Sequence, residues 1–150
     1  MRARRGEAKD VLDLRARVLR PGRPASDAHF AGDELATTEH WLLEDEAGAI
    51  VAVTTLMLAA LPDAPASDVE TWQLRGMAVE PALQGRGAGS ALLMAALDAF
   101  DRARPPAIVW CNARVRAESL YARFGFRVVT GVFEIAGVGP HVGMVRAMTR

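Results

Sequence analysis

From Val69 to Val79 the side chains divide with a period of two. Val69, Thr71, Gln73, Arg75, Met77 and Val79 fall on one side, and Trp72, Leu74 and Ala78 on the other, as in a strand. Gly76 interrupts that strand, and an internal glycine marks a bulge or a close approach of another group to the backbone. After Glu80-Pro81 comes Gln84-Gly85-Arg86-Gly87-Ala88-Gly89-Ser90, and the period then changes. Leu93, Ala96, Leu97 and Phe100 recur at i, i+3, i+4 and i+7, the stripe of an amphipathic helix. The pattern therefore predicts a strand, a glycine-rich loop and a helix in immediate succession.

The same periods place the other elements. Residues 1–5 read as a short first strand. Val11, Leu14 and Val18, with Leu12 and Leu19 beside them, give a helix from Glu7 to Arg20 that Pro21-Gly22 stops. Gly22 to Thr38 has no period and is rich in Pro, Gly, Asp and Ala. It reads as a long loop, either plain surface or part of a binding site. Glu39–Leu43 and Ile50–Leu58 form a hairpin around Asp45-Glu46-Ala47-Gly48, and Pro62 to Ser67 is a loop. Arg104-Pro105-Pro106 ends the amphipathic helix, and Ile108–Cys111 is a short apolar run suited to a buried strand. A helix from Val115 to Phe124 shows Ala117, Leu120, Tyr121 and Phe124 on one face, with Gly125 as its stop. Arg127–Ile135 and His141–Met148 are the last strands, separated by Gly137-Val138-Gly139-Pro140. Strands and helices mixed in this order predict an α/β fold, one twisted mixed sheet of about seven strands with helices on both faces.

Composition narrows the partners. With 150 residues the chain makes one domain, residues 1–150, and 51% apolar residues suffice for a core. Eighteen basic and 18 acidic side chains cancel, so the basic excess of a nucleic-acid binder is absent. Cys111 stands alone, which excludes an internal disulfide and a CxxC metal site and fits the cytoplasm. The basic start MRARRGEAKD leads into a charged helix rather than an apolar signal core. The longest apolar run, Ile50 to Leu61, is too short to span a bilayer.

The loop carries the chemistry. Successive backbone N–H groups at a helix N-terminus form an anion site shaped for phosphate oxygens. No lysine follows the glycines, the only lysine being Lys9, so this is not a P-loop. Gly85, Gly87 and Gly89 give GxGxG and not the dinucleotide-binding GxGxxG. The segment resembles instead the acyl-CoA loop of the GNAT superfamily of N-acetyltransferases, [Q/R]-x-x-G-x-[G/A] after a strand of the type L-x-V-x-P, with Gln84, Gly87 and Gly89 filling the pattern. Ser119-Leu120-Tyr121-Ala122-Arg123-Phe124-Gly125-Phe126 is similar to a second GNAT signature, L-Y-x-[K/R]-x-G-F, whose tyrosine points at the cofactor sulfur.

The resemblance implies a GNAT fold that binds acetyl-CoA and transfers its acetyl group to a primary amine of a small molecule or protein by direct attack on the thioester, without a metal. It assigns cofactor contacts to the bulged strand at Met77, Ala78 and Val79 and to Gln84, Gly85, Arg86, Gly87, Ala88, Gly89 and Ser90. Arg86 is the first choice among arginines for the phosphates, ahead of Arg114, Arg116 and Arg123. Many relatives have asparagine seven positions before the tyrosine; here that position is Arg114, and Asn112 is the substitute candidate. Tyr121, the only tyrosine, is either the proton donor to the sulfur or a core residue. The base that deprotonates the amine is not identified among Glu80, Glu134, Asp33, Glu34, His40 and His141. His141 is the most interesting of these, because it stands where a turn enters the last strand. Arg75 is either paired with Glu134 or Asp68, or binds a carboxylate of the acceptor. A non-catalytic CoA-binding sensor or partner-binding module is the alternative function. GNAT relatives often dimerise, so a homodimer stays open.

Overall fold

The computed structural model describes residues 1–65 and 67–146. Its eight strands form one mixed sheet: β1 (Arg2–Gly6), β2 (Glu39–Glu44), β3 (Ile50–Leu58), β4 (Thr71–Val79), β5 (Ile108–Arg114), β6 (Phe126–Val128), β7 (Phe133–Ile135) and β8 (Gly139–Arg146). The strand order is β1-β2-β3-β4-β5-β8-β6, with β7 also on β8, and every pair is antiparallel except β4 with β5. A parallel pair needs a crossover, and helix α2 (Ala88–Ala103) supplies it.

Helices cover both faces. Helix α1 joins a 3-10 turn (Ala8–Val11), an α turn (Leu12–Leu14) and a π turn (Arg15–Leu19). Its Val11 and Leu14 pack with Leu42, Val53 and Ala78 on one face. On the other face Leu93, Leu97 and Phe100 of α2 and Tyr121 of α3 (Glu118–Ala122) pack with Trp72, Leu74, Val109 and Met144. Among the described residues no helix is long and apolar enough to cross a membrane.

Gly76 does more than interrupt β4. Thr55 pairs with Arg75 but Val53 with Ala78, so two residues of β4 oppose Thr54. That bulge inverts the facing of the strand. Trp72 and Leu74 face α2 before it, whereas Met77 and Val79 do so after it and Ala78 turns to α1. Met77 and Val79 therefore do not share a face with Arg75, contrary to simple alternation. Gly76 has φ 65°, and a Cβ there would lie 2.8 Å from Arg15 Nε and 3.2 Å from Nη2. The glycine makes room for a buried guanidinium. Gly76→Ala is expected to lower stability by about 1–3 kcal/mol, through φ strain and displacement of Arg15; a denaturant midpoint equal to the parent's would refute it.

Other boundaries moved for local reasons. Arg127–Ile135 is not one strand: β6 and β7 pair with opposite ends of β8, and between them Val129 N–H donates to Gly143 O (2.9 Å) while Gly143 N–H donates to Thr130 Oγ1 (2.8 Å). The Val115–Phe124 helix is a 3-10 turn (Val115–Ala117) followed by the short α3. β8 begins at Gly139, ahead of His141, and Ala147 and Met148 lie outside the described residues. Gly22–Thr38 is a loop with a 3-10 turn at Ala25–Ala28 and buried Ala28, Asp33 and Thr38.

Candidate functional site

β4 and β5 start as neighbours and then part. Their ladder covers only Thr71–Gln73 against Ile108–Trp110, after which β5 continues beside β8 as far as Arg114 opposite His141. The edge of β4 from Leu74 to Val79 that faces β5 is left without a strand partner among the described residues. Unpaired backbone groups on such an edge are a template for an extended amide ligand. The opening is a cleft with two lobes of about 280 and 510 Å³, joined through Leu19, Met77, Arg114, Ala117 and Leu120.

The larger lobe ends on the glycine loop, where Gln84, Gly85, Gly87, Gly89 and Ser90 line it. Gly87 is the N-cap of α2 with φ 88°, and no side chain caps the helix. The first backbone bond at that end is Ala91 N–H to Gly87 O at 3.0 Å. The amides of Gly85, Gly87, Ala88, Gly89 and Ser90 thus lack acceptors among the described residues. Open donors at the positive end of a 16-residue helix are an anion site. Gln84 Nε2 donates to Val79 O (3.0 Å), tying the loop to the end of β4. Ala88 contributes only backbone here, since its side chain is in the core with Leu92.

One of the expected residues lies elsewhere. Arg86 is exposed, is absent from the cleft lining, and its amide is used on Leu83 O at 3.2 Å. Arg114, Arg116 and Arg123 line the lobe instead, and Arg123 donates to Ser90 Oγ (3.1 Å). Spacing in the loop favoured Arg86, whereas the arginines that line this lobe come from across the cleft. Asn112 lines the smaller lobe, away from the glycine loop.

The smaller lobe gathers Tyr121, His141, Asn112 and Arg75. Tyr121 is buried edge-on to Phe126, with ring centroids 5.7 Å apart. Burial, with Cys111 nearby, raises its pKa above the ordinary tyrosine value, so the hydroxyl stays protonated. Burial likewise pushes the Cys111 thiol up to about 12, which rules it out as a nucleophile at neutral pH. His141 Nδ1 bonds Gly139 O at 2.8 Å. A carbonyl only accepts, so Nδ1 carries a hydrogen, and in the neutral ring the lone pair is then on Nε2.

The other candidate bases are committed elsewhere. Glu80 pairs with Arg17 (2.9 Å), Glu34 meets His29 (3.1 Å), and Glu134 is exposed on β7 outside the lining. His40 bonds Thr55 Oγ1 (2.8 Å) and Asp33 O (2.9 Å). Asp33 receives Arg15 Nη1 at 2.6 Å and Nη2 at 3.2 Å, Phe30 N–H at 2.8 Å and Arg75 Nη2 at 3.2 Å. Arg75 therefore pairs with Asp33 and not with Glu134 or Asp68. Its Nη2 also donates to Ala31 O, while its buried Nε has no partner.

Sequence reasoning did not single out Arg20, Phe30 or Gln73, which also line the smaller lobe. Arg20 ends α1, where the π turn closes with Arg20 N–H on Arg15 O (3.1 Å). Phe30 is the one aromatic residue of the Gly22–Thr38 loop. An aromatic in an otherwise small and polar loop was the available signal.

The geometry has counterparts among known proteins. Residues 36–128 match the family model described as an acetyltransferase (GNAT) domain. The chain is 26% identical over 140 residues to the uncharacterized N-acetyltransferase YitI of Bacillus subtilis, covering 93% of this chain and 91% of that one. The crystal structure of Escherichia coli ElaA superposes with a TM-score of 0.76 at 24% identity, over 97% of this chain and 98% of that one. A structure of aminoglycoside 6'-N-acetyltransferase complexed with coenzyme A gives 0.73 at 12% identity, over 100% of this chain and 98% of that one. With a family match across more than half its length, and a glycine loop and parted strands to go with it, the chain belongs to the GNAT acetyltransferase family.

Proposed function

We propose that the protein is an N-acetyltransferase that moves an acetyl group from acetyl-CoA to an amine. The observation that carries this reading is the unpaired edge of β4 running from the glycine-loop amides to Tyr121. Acetyl-CoA fits the two ends of that cleft: the open amides of Gly85 to Ser90 suit its pyrophosphate, and the β4 edge suits its pantetheine amides. It supplies the acyl group as a thioester, activated toward amines.

The chain's residues then do three things. They align the reactants, since the loop and the β4 edge hold the thioester in one register beside the smaller lobe. A backbone N–H from Met77 to Val79 donates to the thioester oxygen as charge develops there. Tyr121 donates a hydrogen bond, and finally a proton, to the departing sulfur. The acceptor nitrogen forms the new bond to carbon as the carbon–sulfur bond breaks, and its surplus proton goes to His141 Nε2 directly or through water. Tyr121 regains its proton from solvent. Cys111 forms no acyl-enzyme in this scheme, so transfer is direct. The lone cysteine supports a cytoplasmic setting.

Thiol release from acetyl-CoA across amino acids, peptides, polyamines and aminoglycosides tests the reading, with calorimetric CoA binding beside it. CoA binding without turnover on any amine would favour the sensor alternative. Gly87→Glu is expected to weaken CoA at least about tenfold relative to Gly87→Ala, because both share the φ strain and only glutamate brings a negative charge toward the phosphates. Nothing lies within 4 Å of a Cβ at Gly87, so both variants should fold. Equal CoA affinity in the two would refute the phosphate site.

A further inference from the structure

The smaller lobe is unusually one-sided in charge. Arg20, Arg75 and Arg114 line it together with His141, and no aspartate or glutamate does. The carboxylates that act on Arg75 and Arg20 are already engaged: Asp33 holds Arg15 with two contacts and spares one, at 3.2 Å, for Arg75, while Asp27 pairs with Arg23 at 2.9 Å. Arg20 and Arg114 find only the Leu19 carbonyl, at 3.0 and 3.3 Å. Burial lowers the pKa of all three guanidiniums. Neighbouring arginines lower it further, Arg23 and Arg15 for Arg20, Arg15 for Arg75, and Arg116 and Arg20 for Arg114, while Asp27 raises it for Arg20 and Asp33 for Arg75. They nonetheless stay charged, because an arginine remains protonated in proteins. Partly desolvated like charges crowded around one cavity are a standing cost that an anion would relieve.

The cofactor does not account for them. Its phosphate end lies at the glycine loop in the larger lobe, which Arg114, Arg116 and Arg123 already serve, whereas Arg20 and Arg75 line only the lobe at Tyr121. Both stand at the same aromatic ring, their guanidinium carbons 5.3 and 5.5 Å from the Phe30 centroid. Each keeps donors free: Arg75 Nε has no partner, and Arg20 uses Nη1 alone. The lobe, about 280 Å³, is small for a ligand pocket.

We infer that the acceptor is a small amine that also carries a carboxylate, an amino-acid-like substrate whose carboxylate is held by Arg75 and Arg20 while its amine faces Tyr121 and His141. The inference rests on the acetyl-transfer reading and names the acceptor class for it. Polyamines and aminoglycosides are excluded by the same charges, since a second cation would enter a lobe with no acid to meet it.

The test compares kcat/KM for thiol release with free amino acids, their α-carboxamides and polyamines, beside CoA binding by calorimetry. The parent is expected to favour the acid over its amide by about 10²-fold, because the amide leaves the guanidiniums without their counter-charge. Arg75→Met and Arg20→Met are each expected to shrink that ratio about tenfold, chiefly through KM, and Arg75→Lys to keep part of it. Should Arg75→Met fail to fold, Arg20→Met carries the test, as Arg20 bonds only a neighbouring carbonyl. A parent that prefers the amide or a polyamine overturns the inference and leaves acetyl transfer standing, as does a ratio unchanged in the folded variants. A parent that neither binds CoA nor releases thiol overturns acetyl transfer itself, and the acceptor class with it.

Discussion

Asp33→Ala is expected to destabilise the protein by about 3–5 kcal/mol, the range for removing one partner of a buried ion pair. The Arg15 and Asp33 side chains are both 0% exposed, so the variant leaves a guanidinium with no counter-charge and no water. Arg15 keeps only the Ala28 carbonyl at 3.0 Å, Thr55 Oγ1 at 2.8 Å and the face of Phe30 at 4.1 Å. Asp33 also organises the Gly22–Thr38 loop, accepting Phe30 N–H through its side chain and His40 Nε2–H through its carbonyl. A domain of this size has roughly 5–15 kcal/mol in all, and the melting temperature should fall by about 10 °C or more. Adding Arg15→Met to Asp33→Ala should cost less than the sum of the two single changes, since the second removes the charge that the first orphaned. An Asp33→Ala variant within 1 kcal/mol of the parent would show that the pair is not buried as described.

The same network sets an acid limit. Burial raises the Asp33 pKa, but the hydrogen bonds from Arg15 and Phe30 and the charges of Arg15 and Arg75 outweigh it and hold the carboxyl below its ordinary value. A depressed carboxyl pKa stabilises the folded state above the unfolded value of about 3.9, and that contribution is lost as pH falls through the folded value. Acid unfolding governed by Asp33 therefore belongs below about pH 4, not in the neutral range.

Periodicity made much of this molecule legible. The change from period two to 3.6 across Val79–Leu93 located β4, the loop and α2, and Gly76 marked either a bulge or a close approach, of which the structure has both. Its consequence was hidden, because alternation carried across a bulge assigns every later residue to the wrong face, as with Met77 and Arg75. β5 was read as ending at Cys111 because apolar character stops there. It continues through Asn112 and Arg114 since those residues line a cleft, and polar side chains at the end of a strand look like loop in a one-dimensional pattern. The split between β6 and β7 depends on which groups Gly143 meets across the sheet, and no local pattern encodes that. The arginine-lined lobe was least legible of all. Arg20, Phe30, Arg75 and Arg114 come from four separate elements; Arg75 stood out as a charge in the middle of a central strand, Arg114 was read toward the phosphates, and Arg20 and Phe30 were not singled out.

Tyr121→Phe is expected to lower kcat by about 10²-fold with little change in the apparent KM for acetyl-CoA, the pattern of an interaction made mainly in the transition state. A tyrosine whose pKa burial has raised is a poor acid toward a thiolate in water, where thiols titrate near 8.5. The comparison in water is the wrong one here. Burial pushes the thiol of Cys111, in the core cluster with Tyr121, up to about 12, the direction in which desolvation moves any thiol. Desolvation of a coenzyme sulfur leaving beside Tyr121 would narrow the gap to the donor, while Arg114 on the same lobe favours the thiolate and opposes that rise. The raised pKa also keeps the donor protonated, so kcat should show no descending limb from Tyr121 below about pH 10. A Tyr121→Phe enzyme that turns over at the parent rate reduces Tyr121 to a core residue packed on Phe126. A parent profile that falls with a midpoint near neutrality assigns the proton to a different group.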